Sequence, residues 1–257
     1  MKLTSNLIAF SIFILKIISL NIAIASDVIE ETSSVRLDSL YQKFDSEKNF
    51  ADIRVYNDSS ELSFVSVSVL EILNPGEKVE NFKNPEFGRG PILSSKAIVI
   101  PSGSSKSIRV YYPEEIERVE DRFFRIRFSP VLPSKEYGFT EDEINSAKEN
   151  LSSKVNVSIG WGHLLVVGKQ NPKLAYEAKI IENNTFISLE NTGDSLLTFK
   201  SILACSKDKE CSVIAKGTRL IKKHTKKVKL SDELLKSKKI DHIEIIVDKL
   251  DPRVLEF

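Results

Sequence analysis

The chain has very little of what most catalytic and metal chemistry needs. Its 257 residues include two cysteines, three histidines, one methionine and one tryptophan. A structural zinc centre takes about four Cys or His ligands, and here Cys205 and Cys211 have five residues between them while the histidines are scattered at His163, His224 and His242. That excludes a thiolate–imidazole cluster legible in sequence, and the spacing is not the Cys-x-x-Cys of a redox motif. The glycines form no phosphate-cradling loop, since Phe87-Gly88-Arg89-Gly90-Pro91 is turn chemistry. No pair of carboxylates is placed by a motif for acid–base work, so the reading is a protein without catalytic residues, bound metal or cofactor. Charge of one sign is also missing: 37 basic residues face 36 acidic ones, which gives no basic field for nucleic acid.

What is present begins with Lys2 and an apolar run over residues 7–22, closed by Ala23-Ile24-Ala25. This reads as a signal peptide over 1–25, with a retained anchor as the other reading; Lys16 interrupts the run. No second stretch approaches the roughly 20 apolar residues of a membrane span, so the exported product is expected to have none. In an oxidising compartment Cys205 and Cys211 are expected to form a disulfide, whose short loop pins a hairpin.

From there the chain is a series of short β-like segments between turns. Ala51-Asp52-Ile53-Arg54-Val55-Tyr56 alternates and stops at Asn57-Asp58-Ser59-Ser60, and residues 64–73 stop at Asn74-Pro75-Gly76. Phe123-Phe124-Arg125-Ile126-Arg127-Phe128 puts Phe124, Ile126 and Phe128 on one side and the arginines on the other, a half-buried strand. Residues 133–154 are polar and aperiodic, with too few apolar side chains to hold a helix on a core, and read as a mobile loop. After them, residues 155–161 alternate again, with Val155, Val157, Ile159 and Trp161 on one face. That row is either core or a surface made to pair with another chain. Strands of this kind without intervening helical patterns predict an all-β protein of antiparallel sandwiches. The expected organisation is a domain over 26–168, a linker over 169–173 around Pro172 and a second domain over 174–257.

Several of these segments, in this order, resemble the periplasmic pilus (fimbrial) assembly chaperones of the PapD-like family. The likeness rests on Ile53-Arg54-Val55-Tyr56-Asn57, on residues 65–72 ending in Asn74-Pro75-Gly76, and on Pro101-Ser102-Gly103 leading to Ile108-Arg109-Val110. It continues through Glu120-Asp121-Arg122-Phe123-Phe124-Arg125-Ile126, residues 185–192 and the Cys205/Cys211 pair. The ending over 162–167 is similar to the alternate branch that serves alpha-type fimbriae. The resemblance implies two immunoglobulin-like domains set at an angle around a cleft, with a periplasmic location. It implies fimbrial subunits as partners, capped by a strand lent from the end of the first domain, and an outer-membrane usher that receives them. The lent strand then falls on Val155, Val157, Ile159 and Trp161. A cleft anchor for the subunit's terminal carboxylate falls on Lys43, with Arg36 second and His163 the nearest polar residue on the last strand. Arg109 and Glu120 match positions of an internal ion pair. Whether the free protein caps its own edge by dimerising is left open.

A second function class fits the same composition: an exported immunoglobulin-like adhesion or fimbrial structural module. The basic run Lys216, Arg219, Lys222, Lys223, Lys226, Lys227, Lys229 reads as a solvated strand face, with a docking patch for an acidic surface as its alternative.

Overall fold

The computed structural model describes residues 35–45, 47–150, 159–237 and 240–257. The signal segment 1–25 and Val155 and Val157 lie outside them. The first sandwich starts with β1 (Val35–Leu37), β2 (Tyr41–Phe44), β3 (Phe50–Asn57) and β4 (Ser63–Ile72). The short β5 (Phe82–Lys83) and β6 (Ile92–Leu93) precede β7 (Ala97–Ile100), β8 (Ser105–Tyr111) and β9 (Arg122–Pro130). A helix, α1 (Glu141–Asn150), then leads to β10 (Trp161–Val167). The second sandwich holds β11 (Tyr176–Ile181), β12 (Phe186–Asn191), β13 (Leu197–Cys205), β14 (Cys211–Leu220) and β15 (Thr225–Lys229). It is completed by α2 (Asp232–Ser237), β16 (His242–Val247) and β17 (Arg253–Glu256).

In the first sandwich a sheet ordered β1-β3-β8-β6 faces one ordered β2-β10-β9-β4-β5, with β7 on β4. Alternation explains the packing. Phe124, Ile126 and Phe128 of β9 meet Ile53, Val55, Ile108 and Val110 of the facing sheet in one buried core. The turn Pro101-Ser102-Gly103 closes with Ser104 N–H donating to Pro101 O, and Gly103 takes φ +62° there. The second sandwich pairs β11-β12-β15 against β14-β13-β16-β17 over a separate core built on Leu189, Phe199, Ile202 and Ile245. The all-β expectation holds, and β17, which no pattern announced, adds an edge.

The expected loop over 133–154 contains a packed helix instead. Thr140 Oγ1 accepts from the Glu143 N–H at 3.3 Å while Glu143 Oε2 accepts from the Thr140 N–H at 2.8 Å, a reciprocal capping box. Ile144 and Ala147 settle against Phe64 and Phe139, whose rings meet edge to face at 5.6 Å. Two apolar residues three apart suffice because Phe139 roofs the contact.

Candidate functional site

The site is built around β10. On one side β9 pairs with it antiparallel along its whole length, from Trp161↔Phe128 to Val167↔Arg122. On the other side β2 pairs with it in parallel only from Leu164↔Tyr41 to Val167↔Phe44, with Leu164 N–H donating to Leu40 O at 2.8 Å. The chain before β2 leaves this sheet for β1, which belongs to the facing one. Among the described residues no strand lies beside β10 on that side ahead of Leu164.

The strand's two faces do different work. Trp161, His163, Leu165 and Val167 turn to the core of the first sandwich. The Trp161 indole donates from Nε1 to Val35 O, so the ring packs at home. Ile159, just ahead, is half exposed. The opposite face, Gly162, Leu164 and Val166, looks toward the second sandwich. Val166 joins Ile72, Phe123 and Leu196 in a buried cluster with Ile221 packed against it, so the two sandwiches share apolar surface. A cleft of about 270 Å³ opens beside this cluster, lined by Tyr41 and Leu164 from one side and Arg219 and Ile221 from the other. There the Arg219 guanidinium stacks on the Tyr41 ring at 3.4 Å. Burial pushes the Tyr41 hydroxyl upward against the pull of Arg219.

Polar contacts fix the two halves. Asp121 is buried and accepts from Ser195 Oγ at 2.7 Å, from the Leu196 N–H and from the Lys169 N–H at 2.8 Å. Lys43 Nζ donates to Leu196 O at 3.1 Å. Gly76 holds φ +90°, a conformation that favours glycine, and a β-carbon there would stand 2.9 Å from Ile221 Cδ1, so the loop after β4 lies close against the second sandwich.

The three residues named as cleft anchors do not converge. Lys43 pairs with Val166 in register and lies on the inter-sandwich face. His163 points to the other face, only 1% exposed, with Nδ1 2.8 Å from Ser39 O. A carbonyl accepts only, so Nδ1 carries the proton and Nε2 is left in the core without a partner. Burial therefore lowers the imidazole's proton affinity, with the Ser39 carbonyl and Asp38 opposing and Arg125 adding to it. Arg36 is on β1 in the facing sheet, held by Asp58 at 2.7 Å and stacked on Tyr56. His163 and Arg36 are thus corrected: burial removes the first from any cleft and sheet membership the second.

The expected Arg109–Glu120 ion pair is also corrected. Arg109 forms a two-pronged pair with Asp52 at 2.8 Å on an exposed face, because Asp52 is its cross-strand neighbour. Glu120 instead meets Lys222 of the second sandwich at 3.2 Å. The buried pair is Arg122–Glu71 at 2.8 Å, with Arg122 also donating to Tyr112 Oη at 3.0 Å. Burial alone would raise the Glu71 carboxyl, yet Arg122 and Lys83 hold it below the ordinary range. The Cys205–Cys211 disulfide forms as expected and joins β13 to β14.

Two arginines escape the sequence reading. Alternation puts Arg125 and Arg127 on the solvent side of their strand, but with Phe82, Gly160 and Gly162 they line a groove of about 330 Å³ over the start of β10. The signal available is the glycine pair flanking Trp161, which leaves that face bare of side chains at the start of β10.

No family model matches the chain. In sequence it is 24% identical over 156 residues to a CS1 fimbrial subunit of Escherichia coli, covering 60% of this chain and 62% of that protein. It is 27% identical over 157 residues to a CFA/I fimbrial subunit of Escherichia coli, covering 60% and 61%. The match thus spans about three fifths of the length of these curated relatives. In structure it superposes on the class 5 fimbriae chaperone CfaA with a TM-score of 0.54 at 16% identity, over 86% of this chain and 98% of that one. The chain has the all-β, two-sandwich fold of a fimbrial chaperone.

Proposed function

We propose that the protein is a periplasmic chaperone that holds fimbrial subunits by β-strand addition and delivers them to an outer-membrane usher. One observation carries this: β10 is paired on both sides from Leu164 onward but, among the described residues, on one side only before it; in the sequence, the residues ahead of it alternate, with Val155, Val157 and Ile159 apolar. An edge of this kind offers main-chain donors and acceptors to a partner lacking a strand. Each apolar side chain buried in the partner would contribute roughly 1.5–3 kcal/mol before ordering costs. The likeness to CfaA supports the reading. So does a second neighbour, from a study of a chaperone–tip adhesin complex in CFA/I fimbriae biogenesis, with a TM-score of 0.51 at 17% identity over 87% of this chain and 98% of that one.

The working organisation is export by a signal over 1–25, a subunit-binding domain over 26–168, a linker over 169–173 and a second domain over 174–257. No reaction is assigned to it. Lys43 is the one remaining candidate for anchoring a subunit's terminal carboxylate. The test is co-expression with a fimbrial subunit, followed by purification of the complex. Replacing Val157 and Ile159 together with aspartate is expected to abolish co-purification while the circular dichroism and melting of the chaperone stay unchanged. Undiminished binding by that variant overturns the reading. Ordered polymers formed by the purified protein alone would favour a structural module, in line with the names of the two relatives as fimbrial subunits.

A further inference from the structure

We propose that the groove over Gly160 and Gly162 reads an acidic side chain on the strand that pairs with β10; this rests on the strand-addition reading above. In the register of the sheet, Gly162 stands opposite Arg127 and Leu164 opposite Arg125. Residues opposite one another in an antiparallel pair share a face. Arg127, Gly162 and the partner residue beside Gly162 would therefore form one row across three strands. Gly162 puts no side chain between the other two, so the partner's side chain can lean over it.

The groove suits a carboxylate. Arg125 is not aligned with its own row: its stem crosses Gly162, with Cδ 2.8 Å from where a β-carbon would stand. Its guanidinium reaches Gly162 O at 3.5 Å, at the open edge. Glu80 pairs with Arg125 at 2.6 Å and neutralises that charge. Arg127 stacks over Phe82 at 4.6 Å, and among the described residues no carboxylate pairs with it. One cation is thus left without a counter-ion in a groove of about 330 Å³, beside a strand whose described part carries no charged residue. Ser129, whose Oγ lies 3.4 Å from the β-carbon position of Gly160, adds a neutral hydrogen-bonding group next in line. A planar guanidinium backed by an aromatic ring favours a carboxylate over a neutral amide of the same shape.

The test uses short alternating valine–threonine peptides, amidated at the C-terminus so that no terminal carboxylate competes. One outward position at a time carries Glu or Gln, and binding is read by fluorescence anisotropy. At one register the Glu peptide is expected to bind about fivefold more tightly than its Gln twin, the size of a partly exposed charge pair. The preference should shrink with added salt and vanish in Arg127→Gln. Peptides that bind with no difference between Glu and Gln at any register overturn this inference and leave strand addition standing. A preference that persists in Arg127→Gln also overturns it. Failure of every peptide to bind overturns strand addition, and this inference with it.

Discussion

Asp121 ties the two sandwiches together, and removing its carboxylate should show how strongly. Its two oxygens serve three donors: Ser195 Oγ, the Leu196 N–H and the Lys169 N–H. Ser195 is 1% exposed and Leu196 3%, so in Asp121→Ala two donors lose their acceptor where water does not reach. An orphaned buried donor costs roughly 1–3 kcal/mol. The Lys169 amide lies nearer solvent and can be hydrated, and the serine hydroxyl can turn. The expected loss is therefore about 3 kcal/mol. Asp121→Asn keeps the shape and one acceptor and should cost about half as much, which separates lost hydrogen bonds from a lost volume. Because two cores are present, a single unfolding free energy is a poor readout. Amide hydrogen exchange is better: the Leu196 and Lys169 N–H groups should lose protection in Asp121→Ala, while that of Leu165, in the β2–β10–β9 ladder, stays as it was. If the Leu196 amide remains protected and the loss is under about 1 kcal/mol, another acceptor serves these donors and the reasoning fails.

Two further outcomes are expected. Burial lowers the pKa of His163 in the folded chain, so well above the unfolded value of about 6.5 both states are neutral and this contribution to stability is fully present; as pH falls through about 6.5 the unfolded chain takes up a proton the folded one refuses, and stability drops until the lowered folded value is reached. His163→Phe should flatten that part of a melting-temperature profile, and an unchanged slope would show that another group titrates there. Reducing the Cys205–Cys211 bridge, which spans six positions, should destabilise the second sandwich by about 2 kcal/mol and leave exchange in the β9–β10 ladder untouched; equal loss in both sandwiches would contradict the separate cores.

Period-two alternation makes most strands legible, β9 above all, because one face of each is buried and every second residue must be apolar. The helix α1 escapes that reading although its capping box stands in the sequence as Thr140-x-x-Glu143: Ile144 and Ala147 look too few until Phe64 and Phe139, far apart in the chain, supply the surface beneath them. The site is less legible for the same reason. Ion-pair partners are set by cross-strand register, so Arg109 finds Asp52 rather than Glu120. His163 looks polar and available in sequence, but strand parity turns it inward, one residue out of phase with Leu164.

The edges of the sheets give an independent argument for the role of β10. An open strand edge invites pairing, and exposed edges are ordinarily guarded by charge. The outer strands of the second sandwich follow that rule: β15 carries Lys226, Lys227 and Lys229, and β14 carries Lys216. From Ile159 to Val167 the chain has no Lys, Arg, Asp or Glu at all. A charge that does reach the half-covered edge is Arg125, coming in from the neighbouring strand and held by Glu80. A side chain supplied from outside can move away, whereas a lysine on the strand itself would oppose every partner. Lys216, Lys226, Lys227 and Lys229 of the basic run, read as a solvated strand face, thus stand on outer strands of the second sandwich, whereas β10 carries no such charge and its own edge is left able to pair.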